Sequence, residues 1–189
     1  MKKLFFLLFV LVSMTIVAQE PTRQKVSDTE KTALLKQMGK HVESFSCHFT
    51  EEKWIAVLDE TIVSKGTIEY KAPNQLVCEY TEPESIVLSK DAYGKLTVTK
   101  NGKPVPASIM HKQMMDMMSA FVTGETVSKS DEYIAEVWTD DNGYIVSLTP
   151  KTKSRFSVIE LYIDPNNKRI QKTVLKEAKG DCTTVTMSE

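Results

Sequence analysis

Few side chains in this chain have the types and spacing that covalent chemistry requires. The three histidines, His41, His48 and His111, show none of the spacings of a metal site, and His41 and His111 fall on polar sides of predicted helices. Cys47 and His48 are neighbours in an alternating stretch, so they point to opposite faces and cannot serve each other as nucleophile and base. Glu51 with Glu52, and Asp140 with Asp141, are consecutive carboxylates, read as solvated strand ends and turns. There is no G-x-S-x-G, no phosphate-gripping glycine loop and no dinucleotide fingerprint. These absences point to a binding protein rather than an enzyme, with no cofactor and no metal.

Composition narrows the class further. Met1–Ala18 opens with Lys2 and Lys3, continues as an apolar run from Leu4 to Val12 and ends in small or apolar residues, which is the order of a secretory signal. The run is short for a membrane span. Residues 1–18 are therefore read as a cleaved signal, with the mature chain starting near Gln19. Losing Lys2 and Lys3 leaves 22 basic against 25 acidic side chains, a net charge near −3, which gives no footprint for nucleic acid. Residues 19–189 suit one domain with its own core. Three cysteines, Cys47, Cys78 and Cys182, allow one disulfide or none. Cys47 and Cys78 alternate with apolar neighbours, which favours buried thiols.

The periodicity gives helix, sheet, helix, sheet. Ser27 and Glu30 form a capping box for a helix over Ser27–Phe45 with Leu34, Leu35, Met38 and Val42 on one stripe. Period two then predicts strands at Phe45–Glu52, Trp54–Asp59, Ile62–Lys71, Gln75–Thr81, Ser85–Lys90 and Lys95–Lys100. Gly66, inside one of them, predicts a bulge or bend. Pro104 and Pro106 close this region, and a helix over Ser108–Val122 follows, with Met110, Met114, Met117, Met118 and Phe121 on its apolar side and Ser119 facing away. Five of the nine methionines lie between Met110 and Met118; such flexible side chains suit either a repacking surface or an ordinary core. After a polar loop at Gly124–Glu132, strands are predicted at Tyr133–Thr139, Tyr144–Thr149, Phe156–Asp164, Arg169–Lys176 and Cys182–Met187. The total is about eleven antiparallel strands and two helices, and a sheet with one apolar face must cover that face.

Several segments, taken in order, carry a resemblance. They are F-x-x-x-F-T at Phe45–Thr50, S-K-G-T-I-E-Y at Ser64–Tyr70, A-P-N-Q-L-V-C-E-Y-T-E-P at Ala72–Pro83, I-x-L-x-I-D at Ile159–Asp164 and G-D-x-T at Gly180–Thr183. From about Ser27 to Met187 the chain resembles the LolA-like periplasmic carriers of outer-membrane lipoproteins. The resemblance implies a mainly β fold, an incomplete, curved antiparallel barrel whose apolar cavity is lidded by two helices. It also implies cargo in the form of acylated lipoproteins or related lipids, taken from an inner-membrane delivering complex and passed to an outer-membrane acceptor by a periplasmic monomer. Family members often carry an arginine that helps latch the lid where this chain has Ala72, and an aromatic where it has Cys78.

On that reading the cavity is lined by Phe45, Phe49, Ile68, Tyr70, Leu76, Tyr80, Leu88, Leu96, Met114, Met118, Phe121, Leu148, Ile159 and Leu161. Two other classes fit the same pattern. One is an envelope sensor or interaction protein on the same half-barrel, and the other an exported lipid hydrolase.

Overall fold

The computed structural model describes residues 22–38, 42–123 and 131–188. The signal read at 1–18, His41 and most of the loop expected at Gly124–Glu132 lie outside these, as does the side chain of Phe121. In chain order the elements are β1 (Gln24–Lys25), α1 (Asp28–Met38), β2 (Ser44–Ile55), β3 (Glu60–Lys71), β4 (Gln75–Glu82), β5 (Ile86–Lys90), β6 (Leu96–Lys100), β7 (Lys103–Val105), α2 (Ile109–Thr123), β8 (Tyr133–Asp140), β9 (Gly143–Pro150), β10 (Phe156–Ile163), β11 (Ile170–Glu177) and β12 (Cys182–Ser188).

All twelve strands belong to one antiparallel sheet in the order β1-β8-β9-β10-β11-β12-β2-β3-β4-β5-β6-β7. The last strand, β12, pairs with β2 over Cys182–Ser188 and Trp54–His48, which joins the two predicted groups of strands into one wall. The sheet stays open, with β1 and β7 at its edges. Six strand spacings separate β4 from β9, roughly 29 Å in a flat sheet. Leu76 of β4 and Leu148 of β9 belong, through the strands between them, to one core cluster, which side chains of both helices also enter.

Local chemistry explains where the elements start. Ser27 Oγ accepts from the Glu30 amide at 3.2 Å, as a helix cap does, while the Glu30 carboxylate accepts from the Tyr144 hydroxyl at 3.1 Å and so ties α1 to β9. Lys31 Nζ donates to the Ala135 carbonyl of β8 beside it. The second helix is capped reciprocally: Ser108 Oγ accepts from the His111 amide and His111 Nδ1 accepts from the Ser108 amide, both at 3.2 Å. A histidine thus fills the place usually held by glutamate in a capping box.

Several sequence expectations change. The first helix, described over Asp28–Met38, does not reach Phe45, because Ser44 and Phe45 already pair with Lys71 and Tyr70. The stretches Phe45–Glu52 and Trp54–Asp59 form the single strand β2, which ends at Ile55; the lapse of alternation after Trp54 marks the turn at 56–59. Two short edge strands, β1 and β7, were not foreseen, and Pro104 lies inside β7, on an edge where its missing donor is tolerated. On α2, Met115, Met118 and Ser119 are buried, whereas Met110 is 65% exposed, so the apolar side is rotated from the predicted one.

Gly66 does mark a bulge. The β3–β4 register shifts between Lys65 and Gly66, and a Cβ built there would sit 2.0 Å from the Glu79 carbonyl oxygen and 2.8 Å from Phe49 Cε1. Phe49 and Tyr80 are the cross-strand neighbours of Gly66 on either side, and their rings meet edge to face over it at 5.0 Å between centroids. The missing side chain is what lets the two rings close.

Candidate ligand-binding face and its lid

Strand alternation sorts the wall into two faces. On the concave side lie Cys47 and Phe49 of β2, Ile68 and Tyr70 of β3, Leu76, Cys78 and Tyr80 of β4 and Leu88 of β5, all buried. From the other half come Val146 and Leu148 of β9, Ile159, Leu161 and Ile163 of β10, Leu175 of β11 and Val185 of β12. Leu34 and Met38 from α1 and Met115 and Met118 from α2 enter the same cluster.

Of the residues expected to line a cavity, Phe49, Ile68, Tyr70, Leu76, Tyr80, Leu88, Met118, Leu148, Ile159 and Leu161 are buried in this cluster. Phe45, Leu96 and Met114 are half-buried against it. Thirteen of the fourteen therefore share one core, and the helices fill its middle with their own side chains. At one end of the wall, a crevice of about 230 Å³ runs between Tyr80, Met114, His111, Ile86, Glu51 and Ser64. At the opposite end, one of about 490 Å³ reaches Phe45 and Tyr70 beside Arg169, and another of about 220 Å³ reaches Phe45 and Cys47.

Glu51 is a correction to the reading of Glu51 and Glu52 as a solvated pair. It continues the inward series Phe45, Cys47, Phe49, and the Tyr80 hydroxyl lies 3.2 Å from its Oε2 and 3.2 Å from Met114 Sδ. With one proton to give, the hydroxyl donates to one of the two at a time. This contact links the wall to the lid helix α2, and no arginine takes part. Burial raises the Glu51 carboxyl above its ordinary value, an effect that the Tyr80 hydrogen bond and the charge of Lys53 only partly offset. Burial likewise pushes the Tyr80 hydroxyl up. The strict alternation of β2 held the signal for Glu51, but the adjacent Glu52 made the pair look like a wet strand end.

Burial pushes the Cys47 thiol to about 11 and the Cys78 thiol to about 12, so both stay protonated and unreactive at neutral pH. All three cysteines are free thiols. Cys47 and Cys78 flank Ile68 on opposite strands, two spacings or about 9–10 Å apart, beyond the reach of a disulfide.

On the floor, Thr173 stands between Leu161 and Val185, fully buried, and its Oγ1 has no hydrogen-bond partner among the described residues. An orphaned hydroxyl of this kind costs about 1–3 kcal/mol. The convex side carries a different cluster, in which the Glu160 carboxylate accepts from Arg23 Nη1 at 2.9 Å and pairs with Lys176 Nζ at 3.2 Å. Burial works to raise the Glu160 carboxyl, but these two cations outweigh it and hold it below the ordinary value.

The model of the family described as outer membrane lipoprotein carrier protein LolA matches residues 40–189. No curated protein matches the sequence. Among solved structures, the chain is similar in fold to MucB, at 14% identity and TM-score 0.50 over 86% of this chain and 58% of MucB. It is also similar to a LolA superfamily protein from Nitrosomonas europaea, at 12% identity and TM-score 0.38 over 84% of this chain and 91% of that one. A DUF1329 family protein from Desulfovibrio piger gives 10% identity and TM-score 0.42 over 85% and 91%. The family match spans residues 40–189, most of the chain, and the chain belongs to the LolA family of outer membrane lipoprotein carrier proteins.

Proposed function

We propose that this protein is a periplasmic carrier that holds acyl chains of lipoproteins, or of related lipids, on the concave face and moves them from the inner to the outer membrane. The observation that carries the reading is the cover of that face. Two short helices close it instead of a second sheet, and three of the four apolar side chains they are seen to bury there are methionines, Met38, Met115 and Met118. Such a plug can be exchanged for another flexible apolar chain at modest cost.

An acyl chain gains up to about 0.8 kcal/mol per methylene removed from water, so a long chain held here is stable in an aqueous compartment. The Thr173 hydroxyl on the floor offers a donor to a carbonyl of the guest. Release then needs only an acceptor that binds the chain better. On this reading residues 1–18 direct export, residues 19–189 form one carrier domain that works as a monomer, and the partners are a delivering complex and an accepting one. The thirteen wall and lid residues described above make the guest's surroundings.

The test is uptake of a fluorescent fatty-acyl probe, with displacement by a lipoprotein amino-terminal acyl peptide. Saturable uptake and displacement are expected; folded protein that ignores the probe while a known carrier takes it up defeats the reading. The second reading is an interaction protein or sensor on the same fold. MucB, of the same fold, has been solved in complex with MucA of Pseudomonas aeruginosa. A protein partner captured from the envelope that leaves on probe binding, with no transfer of acyl cargo to membranes, selects that reading.

A further inference from the structure

On its β3 side the hairpin of β2 and β3 extends past the wall, while on the other side β12 stays paired with β2 as far as Trp54. The β3–β4 ladder ends at Lys65 and Glu82, whereas β2 and β3 stay paired as far as Ile55 and Glu60. Residues 60–64 therefore have β2 on one side and, among the described residues, no strand on the other. This arm carries Trp54, Val57, Leu58, Ile62 and Val63, five of the large apolar side chains the described residues leave exposed; Val57 is 88% and Leu58 62% exposed. The apex is ordered. The Ala56 amide donates to Asp181 Oδ1 at 3.0 Å and the Leu58 amide to the Ile55 carbonyl at 3.1 Å, so two turn donors are already satisfied.

Two features select what the arm meets. Trp54 and Val63 lie on the outer phase, Ile62 on the inner phase, and Val57 and Leu58 at the apex between them. A protein partner docked on one side would leave the other side wet, whereas an apolar medium that surrounds the tip accepts all three directions. The nearby charges are of both signs, with Lys53 and Lys179 beside Asp59, Glu60 and the Asp181 that accepts from the Ala56 amide. The Lys179–Asp181 turn is held against the apex through Gly180, whose Cβ would meet Ala56 Cβ at 3.3 Å. A mixed ring of this kind complements headgroups that themselves carry both signs, and Trp54 sits one strand position below Ile55, at the depth where indole rings favour the interface.

We propose that the apex of the β2–β3 arm inserts into a lipid bilayer of zwitterionic headgroups. Its root bears Glu51 and Ser64, which line the crevice at Tyr80 and Met114, so an engaged membrane lies beside that mouth. The membrane contact stands whether or not the concave face holds acyl chains.

The test is flotation of purified protein with phosphatidylethanolamine–phosphatidylcholine vesicles. Val57→Asp with Leu58→Asp is the disrupting variant, compared with the wild type as mature chains that start at Gln19; both positions are exposed. A loss of vesicle binding of at least about tenfold is expected, with unchanged thermal unfolding and unchanged acyl-probe uptake. In a Trp138→Phe background Trp54 is the remaining indole, and its emission should shift to the blue and be quenched by brominated lipid. Replacing part of the vesicle with phosphatidylglycerol should change binding by less than about twofold. Equal flotation of both proteins, or unquenched Trp54, overturns the proposal. So does a concentration-dependent dimer that the double variant abolishes while neither protein binds vesicles.

Discussion

The two halves of the concave wall are built from different side chains. From β9 to β12 the buried inward residues are branched aliphatics, Val146, Leu148, Ile159, Leu161, Ile163, Leu175 and Val185, interrupted by Thr173, with Tyr144 and Met187 half-buried at the margins. From β2 to β4 they are Phe49, Tyr70, Tyr80, Cys47, Cys78, Ile68 and Leu76, with Glu51 at one end. Branched aliphatics have few rotamers and pack to one arrangement. The aromatic half carries polar tips and small thiols, and the crevices at both ends of the wall touch it through Tyr80, Tyr70, Phe45 and Cys47. The comparison assigns fold stability to the aliphatic half and access to the aromatic half.

The largest effect tests whether the aromatic half depends on its bend. Gly66→Val should destabilise by about 3 kcal/mol or more, because the added carbon meets the Glu79 carbonyl of the next strand and cannot move without breaking the β3–β4 ladder. Urea unfolding measures this; a loss under about 1 kcal/mol would show that the strands can separate at no great cost.

A smaller effect sharpens the contrast between wall and lid. Leu161→Ala, in the aliphatic floor, should cost about 3–4 kcal/mol, within the range for a fully buried leucine. Met118→Ala, in the lid, should cost less than half of that, because a short helix can settle into the space. It should also strengthen acyl-probe binding, since the guest displaces one side chain fewer. Equal losses at the two positions, with unchanged probe affinity, would make α2 an ordinary core helix.

Much of this was legible in the sequence, and the exceptions have causes. The inward phase of β2 to β5 and of β9 to β10 followed from alternation, because a wall wet on one side must write its pattern at period two. Gly66 gave its bulge away as a glycine among β-branched and aromatic neighbours. The face of α2 was misplaced because methionines at 110, 114, 115, 117 and 118 spread over an arc of about 160° at 3.6 residues per turn, and only the wall decides which of them turn inward. The arm was missed for another reason. The sequence placed strands at Trp54–Asp59 and Ile62–Lys71 without a clear inner face for the first, and the exposure of Ile62 and Val63 follows from β4 ending at Glu82, a length the sequence does not announce.

The smallest effect concerns Glu51 and Tyr80, where the aromatic half meets the lid. Removing the hydroxyl in Tyr80→Phe should cost about 1 kcal/mol, the usual worth of one hydrogen bond, and should speed probe uptake by freeing Met114. Glu51 supplies the pH dependence. Its carboxyl titrates higher in the folded protein than in the unfolded chain, so between those two values the folded state binds the extra proton. Below the unfolded value both states are protonated and the penalty is absent; it grows as pH rises and is complete above the folded value. Glu51→Gln should therefore gain on the wild type as pH rises from about 4.5 toward neutrality, and the two should converge on acidification. The carboxyl carbon resonance of Glu51 tests the cause directly. It should titrate above the ordinary glutamate range, and higher still in Tyr80→Phe, because the hydroxyl is what favours the charged form. A Glu51 resonance that titrates normally in both proteins would sever the tie between wall and lid, and leave α2 held by methionine packing alone.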